Sequence, residues 1–347
     1  MANVLVVTSA PPMVEGGHLV IARALERALI ESGHRAGIVT TPSNRFGRQA
    51  SAYLANWLTD VGQTGDGARI DRVISLRFPS YAVRHPQHVS WINHTMREYY
   101  DLWDRFSARL SVRGRVKERV RRTFIRAADT HFLKHHVKKI FAQSETIRQR
   151  LARWNHLDAD VLHPPPPQRP YRTDGYGDYI FTASRLAPLK RIDLLIRALA
   201  EPAAAGVRVV VGGEGDDLPR LVALARELGV EARVTFTGRL EESALVEHLA
   251  RCRAVAFLPF EEDYGFVTVE AFASGKAVVT TTDSGGPAEI VSHGDSGYVV
   301  APEPAAVATA LAELSGDASQ AERLGARARD VSARFTWPHV VDRLLGA

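Results

Sequence analysis

Glu262 and Glu270 bracket the run Glu-Asp-Tyr-Gly-Phe-Val-Thr-Val-Glu, two carboxylates with seven residues between them. An apolar segment, 254–260, precedes the run, and the helix-like Glu270-Ala271-Phe272-Ala273 closes it. On a single helix this spacing is about two turns, which sets the carboxylates only roughly on one side. A strand, a glycine turn and a helix instead bring both to the carboxyl end of a parallel sheet, where α/β proteins hold ligands. The competing reading is a pair of solvated acids, so the pair takes its meaning from its company.

That company is basic and glycine-rich. Phe181-Thr-Ala-Ser-Arg-Leu-Ala-Pro-Leu-Lys-Arg leads into a helix with Ile192, Leu195, Ile196 and Leu199 on one face. Arg185 and Lys190 thus flank a strand-to-helix loop. Arginine forks onto two phosphate oxygens and lysine adds a mobile point charge, a combination suited to a diphosphate. Val211-Gly-Gly-Glu-Gly-Asp-Asp, which includes Gly213, is another turn at the same sheet edge. In the segment 280–291, Gly285-Gly286 precedes Pro287, which suits a first helical position. Near the start, Gly16-Gly17 follows Ser9-Ala-Pro-Pro-Met-Val-Glu and opens the helix pattern 19–29. Free N–H groups and a positive dipole end there can face an anion, although a plain turn also explains two glycines. The pattern is not G-x-G-x-x-G, so a dinucleotide fold is poorly supported. His94 ends the strand-like run 89–93 and would point into an interdomain cleft, unless it is a structural histidine.

These residues need a scaffold of alternating strands and helices. Strand candidates fall at 4–8, 36–40, 72–78, 89–93 and 139–143, then at 179–182, 207–211, 233–236, 254–257, 277–281 and 297–299. Alternation with helical patterns predicts βαβ units and parallel sheets. The proline run 164–167 and the glycines at 175 and 177 form a semi-rigid linker. The expected division is a first domain over 1–165, a linker over 166–177, a second domain over 178–330 and a terminal helix over 331–347. Thr336 is its candidate cap, and Val340, Val341, Leu344 and Leu345 form a stripe that needs a surface, expected on the first domain.

A length of 347 residues suits two such domains. No apolar run approaches the roughly 20 residues of a membrane span. The start enters a strand without a basic leader, and Cys252 is alone, so a cytosolic setting without disulfides is expected. The net charge of +5 is unevenly spread: 105–139 holds twelve Lys or Arg against Glu118 and Asp129, interleaved with apolar residues. This segment, Arg105 to Lys139, reads as one or two cationic amphipathic helices. It is a solvated face, a contact for an anionic membrane or lipid phosphate, or a nucleic-acid surface, and no recognition motif supports the last. His131, His135 and His136 lack an acidic cluster, so no metal is expected there.

Together these segments resemble glycosyltransferase family 4, the retaining enzymes of the GT-B fold, across essentially the whole chain and most strongly over 184–291. The Arg185-to-Lys190 loop, the Glu262-to-Glu270 run and Gly285-Gly286-Pro287-Ala288-Glu289 match the family's loop, paired-glutamate and glycine-turn patterns. Phe236-Thr-Gly-Arg-Leu resembles the segment near the nucleotide base, making Gly238, Arg239 and Leu240 candidates. Asn93-His94-Thr95-Met96-Arg97, with Tyr99, Tyr100 and Asp101, resembles the His-Thr-Pro-Met-Arg-Tyr segment of a mannosyltransferase-like subgroup, without its proline. The common Glu-Gly-Phe-Gly-x-Pro form is here Glu262-Asp263-Tyr264-Gly265-Phe266-Val267.

The resemblance implies an α/β protein with two Rossmann-like parallel-sheet domains facing across a cleft. It implies retaining transfer of a hexose, mannose first, from GDP-mannose, a UDP-hexose or another nucleotide sugar to a glycan, lipid-linked or small-molecule acceptor. Arg185 and Lys190 would neutralise the leaving diphosphate with help near Gly16 and Gly17, and Glu270 would accept from the ribose. Glu262 would contact the sugar or support its positive charge, and His94 would bind sugar or organise the acceptor. Gly213, Tyr264, Gly265, Phe266 and Val267 complete the donor set. Attack on the same face, assisted by the leaving phosphate, needs no covalent intermediate, in contrast to hydrolases that use a carboxylate nucleophile. Neither metal nor cofactor is expected, nor nucleic acid; the expected location is cytoplasmic, at the inner membrane face if the basic segment docks. A non-catalytic nucleotide-sugar-binding protein and a phosphorylase are the alternatives.

Overall fold

Short runs of Val, Ile and Ala, buried on both faces, form strands, and the amphipathic segments between them return the chain in parallel. The structure, a computed structural model, describes residues 1–11, 13, 16–43 and 46–347. The chain divides into two compact units, Met1–Pro164 with Thr336–Ala347, and Pro165–Phe335.

The first unit contains β1 (Asn3–Ala10), β2 (Arg35–Pro42), β3 (Arg72–Ser75), β4 (His88–Ile92), β5 (Lys139–Ala142) and β6 (Asp160–Val161). They form a six-stranded sheet in the order β2-β1-β3-β4-β5-β6, every neighbouring pair parallel. The edge strand β6 is two residues long and pairs Asp160 with Phe141; nothing in the sequence pattern marks so short a strand. Its helices are α1 (Gly17–Glu31), α2 (Gln49–Leu58), α3 (Trp103–Ser107), α4 (Val112–His135) and α5 (Glu145–Asn155).

Helix α4 carries most of the basic segment, and its buried face mixes acids with Ile125 and Leu133. Its acids are inside: Glu118 and Asp129 are buried, while Val112, Val116, Val120 and Phe124 are exposed. Asp129 accepts from the hydroxyls of Tyr53 and Tyr81 on Oδ1 and from Tyr100 on Oδ2 at 2.6 Å. Burial still raises its pKa to about 6, against the pull of those donors. Tyr99 donates to Glu118 at 2.6 Å, and Arg121 pairs with the same carboxylate at 2.6 Å.

The second unit contains β7 (Ile180–Ala183), β8 (Val209–Gly212), β9 (Val234–Gly238), β10 (Ala254–Ala256), β11 (Val278–Thr281) and β12 (Gly297–Val300). Their order is β12-β11-β10-β7-β8-β9, again all parallel. Helices α6 (Ile192–Ala200), α7 (Leu218–Glu227), α8 (Glu242–Arg251), α9 (Phe266–Ala273), α10 (Gly286–Ile290), α11 (Pro304–Gly316) and α12 (Ala318–Ser332) cover it. Alternate strand residues enter two cores: Ile180, Val209, Ala254 and Val279 join one, and Phe181, Val255 and Val278 the other. The segment after the proline run lies on this unit without regular secondary structure. Asp174 N donates to Ala250 O at 2.9 Å, Gly177 N to Arg251 O at 2.8 Å, and the Tyr176 hydroxyl to Gly275 O at 2.8 Å.

The last helix, α13 (Trp337–Leu345), returns to the first unit, as its apolar stripe required. Thr336 caps it by accepting from His339 N at 3.4 Å. Val340, Val341 and Leu344 are buried, Trp337 meets Trp91 edge-on at 6.2 Å, and Arg343 reaches Asp160 at 3.1 Å. Among the described residues no helix is long and apolar enough to cross a membrane.

Candidate functional site

In the second unit the chain builds β7, β8 and β9 outward in one direction, then starts again on the other side with β10. The switch point between β7 and β10 opens a crevice at their carboxyl ends, the place where such sheets bind ligands. Lys190 follows β7 and Glu262 follows β10, and there they meet. Lys190 Nζ donates to Glu262 Oε2 at 2.5 Å, each side chain 20% exposed. The ammonium also sits 5.4 Å from the centre of the Phe257 ring. The two loops are joined by Phe260 N donating to Leu189 O at 2.8 Å.

The residue after Lys190 is the clasp. Arg191 has φ +49° and donates to Leu258 O at 2.7 Å, Pro259 O at 2.6 Å, Thr281 Oγ1 at 2.7 Å and both Asp283 oxygens at 2.7 and 2.9 Å. The loops after β7, β10 and β11 are thereby fixed to one guanidinium. Among the described residues the non-glycines with left-handed φ are Met13, His156, Arg191 and Glu261, and the last two adjoin Lys190 and Glu262. Such conformations cost about 1–3 kcal/mol each and persist where surroundings impose them, often at functional sites.

The glycine turns seat the carboxylate. Glu262 N donates to Ser284 O at 2.9 Å and its carbonyl accepts from Gly286 N at 3.0 Å. Gly285 has φ +70°, and a Cβ there would run into the Glu262 carbonyl; a Cβ on Gly286 would lie 2.6 Å from Tyr264 Cα. Across the same contact Gly265 has φ +83°, and a Cβ on it would sit 2.7 Å from Phe257 and 2.8 Å from Pro287. The Arg185 loop is held likewise: Ser184 N donates to Gly212 O at 3.0 Å and Leu186 N to Glu214 O at 2.8 Å. A Cβ on Gly213 (φ +126°) would overlap the Ser184 carbonyl. Between those pinned neighbours Arg185 is exposed, with no ion-pair partner among the described residues. Gly238 (φ +72°) ends β9 beside open space, Arg239 is exposed 4.0 Å from Glu214, and Leu240 packs on Gly212.

Glu270, on α9, is in another environment. It is 4% exposed, and its Oε1 accepts from Arg169 and, at 3.0 Å, from the Tyr171 hydroxyl. Burial raises its pKa and Arg169 opposes the rise. Arg169 also lies 3.2 Å from Glu242. Both partners come from the segment read as a linker, where no local pattern marks them. Tyr264 is buried, its hydroxyl pKa pushed well up by burial and then by Glu289. Phe266 and Val267 form the first turn of α9, where N–H groups have no acceptor within the helix.

The first unit has its own switch point, between β1 and β3. Gly16 is the N-cap residue of α1 and Gly17 its first residue; Pro12, Val14 and Glu15 of the same loop lie outside the described residues. His18 follows, its pKa lowered to about 4 by burial and by the Arg77 charge; the sequence reading singled out neither residue. His94 follows β4, its Nδ1 2.7 Å from Thr95 O, and its carbonyl accepts from Phe78 N at 3.2 Å. The rest of the His94 segment is committed to structure. Arg97 binds Asp101 at 2.6 and 2.9 Å, and Tyr99 and Tyr100 serve the buried acids of α4.

Residues 169–331 match the family model described as glycosyl transferases group 1. Among curated proteins, the D-inositol 3-phosphate glycosyltransferase of Stackebrandtia nassauensis is 40% identical over 177 residues, covering 48% of this chain and 40% of that protein. The chain therefore spans less than half the length of that relative. The sucrose-phosphate synthase of Thermosynechococcus elongatus superposes with a TM-score of 0.76 at 15% identity, over 99% of this chain and 97% of that one. HepE of Anabaena in complex with UDP-glucose gives 0.70 at 16% identity, over 99% and 98%. Two parallel six-stranded sheets with a terminal helix returned to the first define the GT-B fold. Within that fold, the likeness to the glycosyl transferases group 1 family lies in the second unit, and over residues 169–331 the chain resembles glycosyltransferase family 4.

Proposed function

We propose that the protein is a retaining, metal-independent glycosyltransferase that moves a hexosyl group from a nucleoside-diphosphate sugar to an acceptor hydroxyl. The observation that carries this is the Lys190–Glu262 pair at the second unit's switch point, seated on Gly285 and Gly286. A diphosphate entering there meets Lys190 and the exposed Arg185, and Lys190 exchanges its carboxylate for phosphate oxygens. Preformed positive charge then stabilises the leaving group as negative charge grows on it. Gly16 and Gly17 add backbone N–H groups. Glu270 Oε2, which accepts no bond from a described residue, takes ribose hydroxyls while Arg169 and Tyr171 hold Oε1. Gly238, Arg239 and Leu240 flank the base, and Gly213 and 264–267 line the donor.

Released from Lys190, Glu262 faces the sugar hydroxyls and the developing positive charge at the anomeric carbon. The acceptor oxygen bonds to that carbon on the face the diphosphate leaves, and the acceptor proton passes to the departing phosphate oxygen. No enzyme nucleophile takes part. His94 binds sugar or orients the acceptor.

UDP-glucose in HepE makes a UDP-hexose the first donor to test, ahead of the GDP-mannose suggested by the His94 segment. The acceptor class is a glycan, a lipid-linked sugar or a phosphorylated polyol, the last from the name of the Stackebrandtia relative. Action in the cytoplasm, at a membrane face reached through the basic segment, completes the reading. Thermal melts with UDP-, GDP-, dTDP- and ADP-sugars test it, because a ligand of the folded state raises stability. One donor class should raise the midpoint, and Lys190→Ala should abolish transfer while retaining the fold. Stabilisation by none of them, or full transfer by Lys190→Ala, refutes the assignment.

A further inference from the structure

Helix α4 leaves two features unused by the donor site. Val112, Val116, Val120 and Phe124 recur every fourth residue at 78%, 61%, 54% and 70% exposure. At that spacing they form one stripe, opposite the face that buries Glu118, Ile125, Asp129 and Leu133. Arg113, Lys117 and Arg119 flank the stripe and are exposed.

Beside it lies an open pocket of about 360 Å³ lined by Arg119, Arg122, Thr123, Arg126, Thr130 and Trp154. Two of its arginines are held in place by neutral groups. Arg122 donates to Tyr99 O at 2.7 Å and stacks 4.8 Å from Trp103; Arg126 donates to Trp154 O at 3.0 Å and stacks 4.8 Å from Trp154. Arg126 Nε is buried with no hydrogen-bond partner among the described residues. None of the three pairs with a described carboxylate within 4.0 Å; Arg122 has Arg126 and Arg119 as like-charged neighbours and Asp104 as an opposing charge beyond ion-pair distance. Arg122 and Arg126, fixed and with no carboxylate at ion-pair distance, offer guanidinium donors suited to a phosphate, while Thr123 and Thr130 spend their protons on Arg119 O and Arg126 O.

We propose that α4 seats the protein on an anionic membrane, the stripe entering the headgroup boundary while the pocket holds a lipid phosphate. Thr123 and Ala127 place the pocket on the same side of the helix as Val120 and Phe124. A soluble phosphate would fill the pocket but leave the apolar stripe in water, whereas a bilayer covers both. The inference deepens the membrane-facing part of the proposed function and rests on that reading; it places the transfer reaction beside a lipid surface.

The test is co-sedimentation of the full chain with vesicles of phosphatidylcholine, alone or mixed with phosphatidylglycerol. Binding is expected to the mixed vesicles only and to weaken with salt. Val116→Asp with Phe124→Asp, at exposed positions, should weaken it at least about tenfold without lowering the melting temperature. Arg119→Gln should weaken it about fivefold, the effect of one surface charge. Arg126→Gln should do the same, and Arg119, which bonds no backbone, decides the matter if that variant misfolds. Equal binding to both vesicle types, or binding unchanged by the double variant, overturns the proposal. So does stabilisation by glycerol phosphate without vesicle binding, or a dimer that the double variant dissociates. Melts with nucleotide sugars run alongside separate the two readings. Vesicle binding without donor stabilisation sinks the donor site alone, and the converse sinks only the docking face.

Discussion

Glu262 and Glu270 are the same chemical group placed in opposite surroundings, and the roles proposed for them can be tested separately. Glu262 is part-exposed, on a loop, facing one ammonium; Glu270 is interior and shares one oxygen between Arg169 and Tyr171. Glu262→Gln should reduce kcat by roughly 10²–10³-fold, the scale of losing one preorganised electrostatic contact. The melting temperature should barely move, since ion pairs open to solvent contribute little. Kinetics and calorimetry on one preparation check both; a large loss of stability with unchanged turnover would make the residue structural. Arg169→Met tests the other carboxylate. Burial already raises the Glu270 pKa, and Arg169 is the charge that restrains it. Without Arg169 the group holds its proton to higher pH. Only the ionised form offers an acceptor without its own proton, so nucleotide affinity should decline as pH falls, and from a higher pH than in the parent. Titration calorimetry across pH measures this; superimposable profiles would remove Glu270 from the ribose. The sequence shows both carboxylates and Lys190, because each sits in a local motif. It does not show Arg169 or Arg191, whose partners stand 101 and 92 residues away.

At the scale of elements, alternation of apolar runs with helical periods discloses the parallel sheets, yet says little about which face of an element turns inward. In α4 only Ile125 and Leu133 of the apolar residues are buried, and the same face takes the acids, because tyrosines from α2, from the 3-10 turn Ser80–Ala82 and from the His94 segment satisfy them. That arrangement has a pH signature. Asp129 has its pKa raised from 3.8 to about 6, so its contribution is fully present below 3.8 and is lost as pH rises through 6. Asp129→Asn cannot ionise, so the stability difference between variant and parent should change across that window and level off above it. Melting temperatures of both proteins through the window decide it, and parallel curves would deny the shift. The glycine turns make a second test at this scale. Gly286→Ala meets the Tyr264 backbone, an overpacking worth about 1–3 kcal/mol that should also displace Glu262 and lower kcat. Gly294, at φ +77° with nothing within 4 Å, is the control. Its alanine variant carries only the backbone strain, so turnover should persist.

For the whole molecule, the chain path ties the first unit to the last helix. The stripe on α13 was legible because Val340, Val341 and Leu344 recur on one face and a short helix cannot bury them alone. Which unit receives it follows from packing: Trp337 on Trp91, Arg343 at Asp160, and Arg72 donating to Leu345 O at 2.8 Å. The second unit, residues 165–335, encloses its own cores and contains the Lys190–Glu262 site complete. Ending the chain after Phe335 should therefore damage one unit and spare the other. Three buried aliphatic side chains at about 1.5–3 kcal/mol each are a large fraction of the roughly 5–15 kcal/mol that holds a domain folded. Scanning calorimetry of the truncated chain should show the first unit melting far lower or unfolded at the outset. The second transition should remain and still rise with the nucleotide sugar that stabilises the parent. Transfer should be lost, because His94, Gly16 and Gly17 belong to the unit that has failed. If the truncated chain instead keeps its first transition, α13 is dispensable to that unit. If donor stabilisation disappears with α13, the second unit does not hold the donor by itself.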